Sequence, residues 1–441
     1  MKNIFLRARW FYGIGLCIFL LFLSYGFPNL FFWAKLALGL YLGLSIADYL
    51  FLAFTDKNLE VNRKVYETLS LGDEQKVNYE IINKVAWPCR IEIYDEFPFQ
   101  LQERNFKKKL LLKAQSNTNY SYHLRPLRRG IYAFGNIHLY RSNIFPGLVE
   151  KRKLIECPEE VAVVPSVIQM KKFQLQVFAK TATMTGIRKI RKVGENDEFE
   201  HIQAYYQGDP IRSINWKATS RKNQLMVNKY QNSRSQMVYS IIDKGRVMKM
   251  PFDGLTLLDH SINSALVISN IVLRKFDKAG LITFGNKIGA VVKAEASQRQ
   301  LEKINKSLYA QKTDFLESNY ELLFYQMRAL LRRRSILFFY TNFEHMVDLE
   351  RSLNYLKSLN NKHLLVVITF INTELSDSAE AQSLTKEDIY KKTTAQKILV
   401  DKEKIVDALR ANNIQTIHTR PQDLNINVIN KYLEIKAKRL F

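Results

Sequence analysis

The chain has 441 residues, with 66 Lys and Arg against 42 Asp and Glu and a formal net charge of +24. Hydrophobic residues make up 47% and aromatic residues 12% of the chain, which excludes an intrinsically disordered protein. The three cysteines (Cys17, Cys89 and Cys157) are far apart, which excludes a disulfide framework and a thiolate zinc site. The sequence also lacks H-E-x-x-H and G-x-S-x-G, so the common metalloprotease and hydrolase signatures are absent.

Two apolar segments predict a transmembrane hairpin over residues 1–56. Trp10–Phe27 is an uncharged stretch of 18 residues, just long enough to cross a hydrocarbon core of roughly 30 Å. Pro28 interrupts this stretch, and a second apolar run extends from Leu30 to Phe54. The alternative is a cleaved signal peptide. The hairpin is favoured because a second apolar segment follows almost at once and no small-residue cleavage site precedes it.

The charges around these segments predict their orientation. Basic residues precede the first segment and follow the second, and none lies in the turn between them: Lys2, Arg7, Arg9, Lys57, Arg63 and Lys64. The positive-inside rule then places both ends in the cytoplasm, so we expect an inner (cytoplasmic) membrane protein with cytoplasmic soluble domains. Within the second run, we expect Lys35 to reach the headgroups, and Asp48 to lie near the opposite interface or face the other helix.

Residues 57–155 read as short strands. Segments such as VNYEIIN and RIEIYDEF alternate apolar and polar residues, the period of half-buried strands. The pattern predicts a small antiparallel β-sandwich of the immunoglobulin-like class. The run Lys107–Lys109 is interpreted as a solvated sheet edge, which blocks edge-to-edge pairing, in preference to a binding patch.

Residues 236–441 predict a doubly wound α/β domain. Uniformly apolar strands such as VYSIID, AGLITF, SILFFYT and LLVVITFI are typical of a parallel sheet covered on both faces. Helical stretches alternate with them, roughly at residues 255–276, 296–309, 317–332, 347–360, 385–412 and 424–438. Ligands of such sheets bind beyond the carboxyl ends of the strands, which makes the loop Asp243–Arg246 a candidate site.

A basic connector, residues 156–235, joins the two predicted domains. Residues 101–250 hold 28 basic and 11 acidic side chains, and therefore most of the net charge. The connector contains an acidic stretch (Glu195–Glu200) followed by a basic one that includes Trp216. One interpretation is that the two stretches pair and fix the connector on a domain face. The other is a docking surface, since Trp and Arg are enriched in interface hot spots. The candidate partner-binding residues are Asp209, Arg212, Asn215, Trp216, Lys217 and Arg221.

The segment GDPIRSINWKATSR, with LMVNKY shortly after it, resembles the signature of the domain of unknown function 58 family. Upstream, LEVNRKVYETLSLGDEQKVNYEIIN and RRGIYAFGNIHLYRSNIFPGL resemble the family's strand-rich domain. The resemblance implies a membrane-anchored protein with a C-terminal domain similar to a von Willebrand factor A domain. It also implies a partner class, the MoxR-type AAA+ ATPases, with the pair acting like a chaperone in the assembly of other proteins.

A von Willebrand A domain holds Mg²⁺ at a metal-ion-dependent adhesion site, through a D-x-S-x-S loop, a Thr and a later Asp. By resemblance, Asp243, Thr313 and Asn342 stand at ligand positions, but Gly245 and Val247 replace the two serines. Divalent cations of this kind require several hard oxygen ligands. The resemblance therefore implies a degenerate site, and we expect no cofactor, with Mg²⁺ as the open alternative.

Three functions follow from these patterns. The favoured hypothesis is a membrane-anchored adaptor or scaffold without enzymatic activity, which presents a von Willebrand A-like surface to protein partners. The second is a basic surface that binds anionic lipid or nucleic acid. Nucleic acid is the weaker choice because the basic segment lacks a recognised nucleic-acid-binding motif. The third is a metal-dependent enzyme that uses Asp243 and Thr313.

Overall fold

A computed structural model of the protein describes residues 3–55, 59–103, 106–178, 197–207, 209, 211–232, 235–297, 299–313, 315–380 and 385–438. The chain forms two compact units, unit 1 (Met1–Val164) and unit 2 (Pro165–Phe441). The described part has a mixed α/β fold with many strands and one long apolar helix near the N-terminus.

The described part of unit 1 contains two α-helices and eleven strands. In chain order they are β1 (Ile4–Leu6), α1 (Ala8–Leu23), α2 (Pro28–Phe54), β2 (Leu59–Lys64), β3 (Thr68–Ser70), β4 (Gln75–Asn83), β5 (Cys89–Asp95), β6 (Lys107–Leu112), β7 (Ser116–Leu124), β8 (Gly130–Phe134), β9 (Ile137–Asn143), β10 (Val149–Ile155) and β11 (Glu159–Val164).

The two N-terminal helices pack against each other. Pro28 occupies the first turn of α2, where its missing N–H costs no hydrogen bond. Tyr41 of α2 donates a hydrogen bond to the carbonyl of Trp10 in α1 over 3.0 Å. Gly13 faces Tyr41, and a Cβ there would lie 2.4 Å from the ring. Among the described helices, only Leu30–Phe54 is both long and apolar enough to cross a membrane. The second predicted span stays a prediction, because α1 is apolar but has 16 residues.

The strands of unit 1 form three sheets, with the orders β1-β10-β9-β5-β6, β2-β4-β7 and β3-β11-β8. Strand β1 directly precedes α1 and pairs with β10 in antiparallel register. Strand β6 lies at the edge of its sheet, which confirms the expectation for Lys107–Lys109. Lys107 and Lys109 reach Glu92 of the neighbouring strand at 2.8 and 3.4 Å. The strand-rich character predicted here is confirmed, and the immunoglobulin-like class stays a prediction.

Asp48 has a role that the sequence does not indicate. Its side chain is buried, and its carboxylate accepts hydrogen bonds from Asn143 Nδ2 at 2.6 Å and from the backbone N–H groups of Leu148 and Val149 at 2.8 and 3.1 Å. The carboxylate therefore binds the β9–β10 loop. Helix α2 is fixed to the strand-rich part of unit 1 at this point.

The described part of unit 2 contains nine α-helices, and its strands form one main sheet and two small ones. In chain order they are α3 (Val167–Phe178), β12 (Asp197–Ala204), α4 (Trp216–Lys222), β13 (Met226–Asn232), β14 (Met237–Asp243), β15 (Pro251–Phe252), β16 (Leu255–Thr256), α5 (Leu257–Arg274), β17 (Lys278–Phe284), β18 (Ile288–Glu295), α6 (Gln300–Tyr309), α7 (Tyr320–Leu330), β19 (Ile336–Tyr340), α8 (Met346–Lys362), β20 (Leu364–Phe370), α9 (Thr373–Glu380), α10 (Lys386–Ala411), β21 (Gln415–Thr419) and α11 (Leu424–Ala437).

The main sheet of unit 2 has the strand order β18-β17-β14-β19-β20-β21. Five strands are parallel and the edge strand β18 is antiparallel. The four predicted apolar strands correspond to β14, β17, β19 and β20. Strands β18 and β21 and helix α9 were not predicted. Strand β18 alternates exposed and half-buried residues as an edge strand does, and β21 is polar enough to resemble a loop.

Two apolar clusters cover the faces of this sheet. One contains Ile242 and Phe338 with helices α5 and α11, and the other contains Ile241 and Phe339 with helices α7 and α8. Alternate residues of each strand point to opposite faces, so both sets of side chains of the central strands β14, β17, β19 and β20 enter a core. This burial on both faces explains why these strands are uniformly apolar. Polar side chains can therefore be placed mainly at the ends of the strands.

Candidate functional site

Asp243 ends strand β14 at the carboxyl edge of the main sheet. Its side chain is fully buried. Asp243 Oδ1 accepts hydrogen bonds from the backbone N–H of Gly245 at 2.8 Å and from the hydroxyl of Ser318. Thr341 Oγ1 donates to Asp243 Oδ2 over 2.8 Å, and the Tyr320 hydroxyl lies 3.3 Å from the same oxygen. Both carboxylate oxygens are thus occupied by groups of the chain itself.

Burial raises the pKa of Asp243 above its ordinary value, because a charged carboxylate loses its hydration. The hydrogen bonds from Ser318, Gly245, Thr341 and Tyr320 oppose this effect by stabilising the anion. Burial also raises the pKa of Tyr320 well above its usual value. Asp243 is therefore the centre of a closed polar network.

Gly245 is required by the close approach of Ser318. A Cβ at position 245 would lie 2.3 Å from Ser318 Oγ, closer than real carbon contacts allow. The hydroxyl of Ser318 fills this space and bonds to Asp243. A side chain at position 245 would therefore have to displace Ser318.

The structure brings two of the three residues implied as metal ligands to one cleft. Asp243 and Asn342 both line a cleft of about 100 Å³. Thr313 is half-buried in the loop before α7 and is not among the described residues that line this cleft. Within the described ranges, no group of three or more His, Cys, Asp or Glu side chains is arranged to hold a metal ion. The degenerate metal site stays a prediction.

A second pocket at the same edge contains a lysine. Lys402 of α10 donates hydrogen bonds to Asn342 Oδ1 at 2.9 Å and to the carbonyl of Phe343. The pocket has a volume of about 220 Å³, and its walls include Phe252, Phe370 and Ile398. Burial lowers the pKa of Lys402 to about 8, although the nearby carboxylate of Glu344 favours the charged form. Asn342 is therefore the hydrogen-bond acceptor of the Lys402 side chain.

The predicted docking motif forms a short helix held against a strand. Asn215 caps helix α4, because its Oδ1 accepts the N–H of Ala218 at 3.0 Å. Its Nδ2 donates to Asn228 Oδ1 at 2.8 Å. Thr219 donates to the Asn215 carbonyl and accepts the N–H of Met226 at 3.0 Å. These bonds fix α4 on strand β13.

The six candidate partner-binding residues divide into two groups. Asp209 and Asn215 have local structural contacts, since Asp209 Oδ2 accepts the N–H of Tyr206 at 3.2 Å in a tight turn. Trp216 is 68% exposed, and Lys217 and Arg221 are exposed beside it. The side chain of Arg212 lies outside the described residues, as do the acidic side chains of the predicted ion pairs. The pairing of acidic and basic stretches therefore stays a prediction.

Sequence reasoning missed several residues of the carboxyl edge. Ser318, Tyr320 and Thr341 bond to Asp243 or lie beside it, and Lys402 reaches Asn342. Thr341 directly follows the apolar strand β19, and Asp243 is the last residue of the apolar strand β14. The position at the end of an apolar strand was the signal that could have identified Thr341. Ser318 and Lys402 come from a loop and a helix without any distinguishing pattern.

Comparison with known proteins identifies relatives without an established function. The model of the family described as "Protein of unknown function DUF58" matches residues 201–405. "Uncharacterized protein YeaD" of Bacillus subtilis (strain 168) is 24% identical over 270 residues, which are 59% of this chain and 64% of the relative. The chain therefore spans somewhat less than two thirds of that relative.

Two solved structures are similar to parts of the chain. Conserved hypothetical protein BatB from Bacteroides thetaiotaomicron is 8% identical with a TM-score of 0.28, and the match covers 46% of this chain and 100% of that one. The ASH/PapD-like domain of human CEP192 is 12% identical with a TM-score of 0.20, over 25% of this chain and 87% of that domain. TM-scores this low carry no argument about fold.

The family resemblance predicted from residues 208–221 is thereby confirmed, since the model of the DUF58 family matches residues 201–405. The matched range contains the docking motif, Asp243, Asn342 and Lys402. It does not include unit 1, for which the predicted resemblance was broader than the family match. The von Willebrand A-like character of unit 2 stays a prediction.

Proposed function

We propose that this DUF58 protein is a membrane-anchored cytoplasmic adaptor without enzymatic activity, which binds a protein partner through the surface around Trp216. The observation that carries the proposal is the exposure of Trp216, Lys217 and Arg221 on a helix that Asn215 holds rigidly in place. A rigid support lowers the entropy lost when exposed side chains bind a partner. Exposed Trp and Arg are the residue types that dominate binding energy in interfaces.

The anchor in this proposal is the helical hairpin of α1 and α2. Helix α2 has the length and composition of a membrane span. Helix α1 has 16 residues, and together with the residues that flank it forms the second span of the hairpin. The cytoplasmic placement of both units rests on the basic flanks of the hairpin.

The burial and the hydrogen bonds of Asp243 support the absence of an enzymatic role. Its carboxylate accepts hydrogen bonds from Gly245, Ser318 and Thr341 and is fully buried. A general base or a metal ligand needs a free lone pair directed at its substrate or ion. The network supports a structural role for this residue.

Unit 2 is proposed to be von Willebrand A-like, and unit 1 to contain an immunoglobulin-like sandwich. The proposed partner is a MoxR-type AAA+ ATPase, the class implied by the family resemblance. The two proteins would act together like a chaperone on other proteins. The basic side chains near Trp216 favour an acidic surface on the partner.

Co-purification tests this function. The full-length chain in detergent should retain a MoxR-type ATPase, and the double variant Trp216→Ala with Arg221→Ala should lose it, because truncating an interface hot spot typically costs about 2 kcal/mol or more. The matched control is Tyr390→Ala with Lys386→Ala, since Tyr390 is 77% exposed on α10, away from the motif in sequence. Equal recovery with both double variants would contradict the adaptor surface.

A second candidate function is binding of a polyanion at the same place. Lys217, Arg221 and Lys222 line a cleft of about 270 Å³ beside α4. Anionic lipid or nucleic acid bound there should dissociate as salt is added, because each neutralised phosphate releases counterions. Retention of vesicles or oligonucleotides at low salt, and its loss at high salt, would favour this function over a protein partner.

A further inference from the structure

The β4–β5 and β9–β10 loops of unit 1 lie against the C-terminal half of helix α2. Trp87 of the first loop and Phe145 of the second line a groove of about 500 Å³ together with Leu44, Ala47 and Phe51 of the helix. All five side chains are apolar. The volume falls in the range of about 300–1,000 Å³ that is usual for ligand sites.

The two loops expose large aromatic side chains. Trp87 is 63% exposed and Phe145 is 86% exposed. Contiguous exposed apolar surface on a protein marks a contact with a membrane, a ligand or another protein. Tryptophan in particular is enriched where a membrane meets water, because its ring is amphipathic.

Asp48, the one acidic side chain among the described residues that line the groove, is hydrogen-bonded within the chain. Its carboxylate accepts from Asn143 Nδ2 and from the backbone N–H groups of Leu148 and Val149. The same bonds fix the β9–β10 loop at one position along the axis of α2.

If α2 spans the membrane, the position of the β9–β10 loop along the helix axis sets the depth of the loop in the bilayer. Leu44 and Phe51 lie ten and three residues before the end of α2 at Phe54, or about 15 and 5 Å along the axis at 1.5 Å per residue. The groove thus extends from the headgroup level into the acyl region of one leaflet. Its helical wall is continuous with the apolar surface of α2 that faces lipid.

We propose that the Trp87 and Phe145 loops are immersed in the bilayer interface and that the groove they form with α2 holds an acyl chain of a membrane lipid. The site rests on the proposed anchoring through α2. It makes the strand-rich part of unit 1 a lipid-contacting module.

Quenching of tryptophan fluorescence by brominated lipid tests this site in the full-length protein. The chain contains four tryptophans, Trp10, Trp33, Trp87 and Trp216, so single-tryptophan variants are made by replacing the other three with Phe. Each variant is reconstituted into vesicles of phosphatidylcholine and phosphatidylglycerol, with or without bromine on the acyl chains. We expect the emission of Trp87 to fall about as strongly as that of Trp33 in α2, and that of Trp216 to be unchanged.

The outcomes separate the two proposals. Quenching of Trp33 without quenching of Trp87 would overturn the lipid site and leave the membrane anchor intact. Absence of quenching at Trp33 would overturn the anchor, and the lipid site with it.

A second variant addresses the groove itself. Ala47→Phe fills the groove from its helical wall, where Ala47 is exposed, and should reduce the quenching of Trp87 but not that of Trp33. The matched control Leu40→Phe, at a 63% exposed position of the same helix, should leave both unchanged. Undiminished quenching of Trp87 in Ala47→Phe would show that no chain occupies the groove.

Discussion

The guanidinium of Arg63 lies 2.6 Å from the carboxylate of Asp95, and both side chains are almost completely removed from solvent. Tyr79 donates a second hydrogen bond to Asp95. Arg63 also donates to the carbonyls of Gly135 and Cys157 at 3.1 and 2.7 Å. These contacts connect strands β2, β4 and β5 with the segments that flank β8 and β10. Arg63 is thus a buried structural residue as well as one of the basic residues that follow α2.

Replacing Arg63 should destabilise unit 1 strongly. Arg63→Met leaves the Asp95 carboxylate buried without its cation, which typically costs about 3–5 kcal/mol. Lys64→Met is the matched control, because Lys64 pairs with Glu80 at the surface and such pairs contribute about 0–1 kcal/mol. Urea unfolding measures the free energy of unfolding of both variants. It is followed by fluorescence in chains that retain Trp87 as their single tryptophan. Similar midpoints for the two variants would contradict the structural role of Arg63.

Removing the charge of Asp243 should loosen the carboxyl edge of unit 2. Asp243→Asn replaces one acceptor oxygen by an NH2 group, which donates and cannot accept, so that the hydroxyl of Ser318 or that of Thr341 loses its acceptor. An unsatisfied buried donor typically costs about 1–3 kcal/mol. Ser318→Ala removes one of these bonds together with its donor and should cost less. Native-state hydrogen exchange of the β14 amides reports the change. The prediction is wrong if Ser318→Ala increases exchange more than Asp243→Asn does.

Loss of the Asn215 cap should expose helix α4 to protease. Asn215→Ala removes the bonds to Ala218 and Asn228, and loss of an N-cap typically costs about 1 kcal/mol. Trypsin should therefore cut after Arg221 and Lys222 roughly fivefold faster, since 1 kcal/mol is about a fivefold change in population. Asn354→Ala, at an exposed position within α8, is the control. Unchanged cleavage would show that the cap does not hold α4.

The stability of unit 2 should fall in mild acid because of His363. Burial lowers the pKa of this side chain, and its Nδ1 has no hydrogen-bond partner among the described residues. Below the usual histidine pKa of about 6.5, His363 binds a proton in the unfolded chain. In the folded chain the same side chain stays neutral until the pH reaches its lowered pKa. The free energy of unfolding therefore decreases as the pH drops from about 6.5 toward the lowered pKa.

His363→Gln should flatten this dependence between neutral pH and the lowered pKa, as measured by thermal unfolding at several pH values. Part of the slope should persist through His418, whose pKa burial also lowers. The exposed His123 provides the control substitution His123→Gln. An unchanged slope in His363→Gln would assign the acid sensitivity to other groups.

Addition of Mg²⁺ or Mn²⁺ should produce no heat of binding at the carboxyl edge. Gly245, Ser318 and Thr341 already bond to the Asp243 carboxylate, so a cation would have to displace them. Calorimetry of the full-length protein with millimolar metal measures this, and Asp243→Ala provides the matched control. A heat present in the native chain and lost in Asp243→Ala would instead support metal chemistry.

The elements of the main sheet were predictable because their signal is local. Strands β14, β17, β19 and β20 are apolar throughout, and the helices between them have clear periodicity. Strand β21 contains polar residues at four of its five positions, and it was missed because an edge strand is buried less completely. Helix α9 has eight residues, too few for the helical period to be recognised.

By itself, the sequence determined the apolar N-terminal helices, the strand-rich segment, the parallel sheet and the family of residues 201–405. These properties depend on hydrophobic periodicity and on a contiguous motif, which neighbouring residues carry together. Only the tertiary structure decided what the polar residues do. Asp243 meets Ser318 and Thr341 across 75 and 98 positions, and Asp48 meets Asn143 across 95. Because such hydrogen bonds depend on the distance between side chains in the folded chain, no local pattern encodes them.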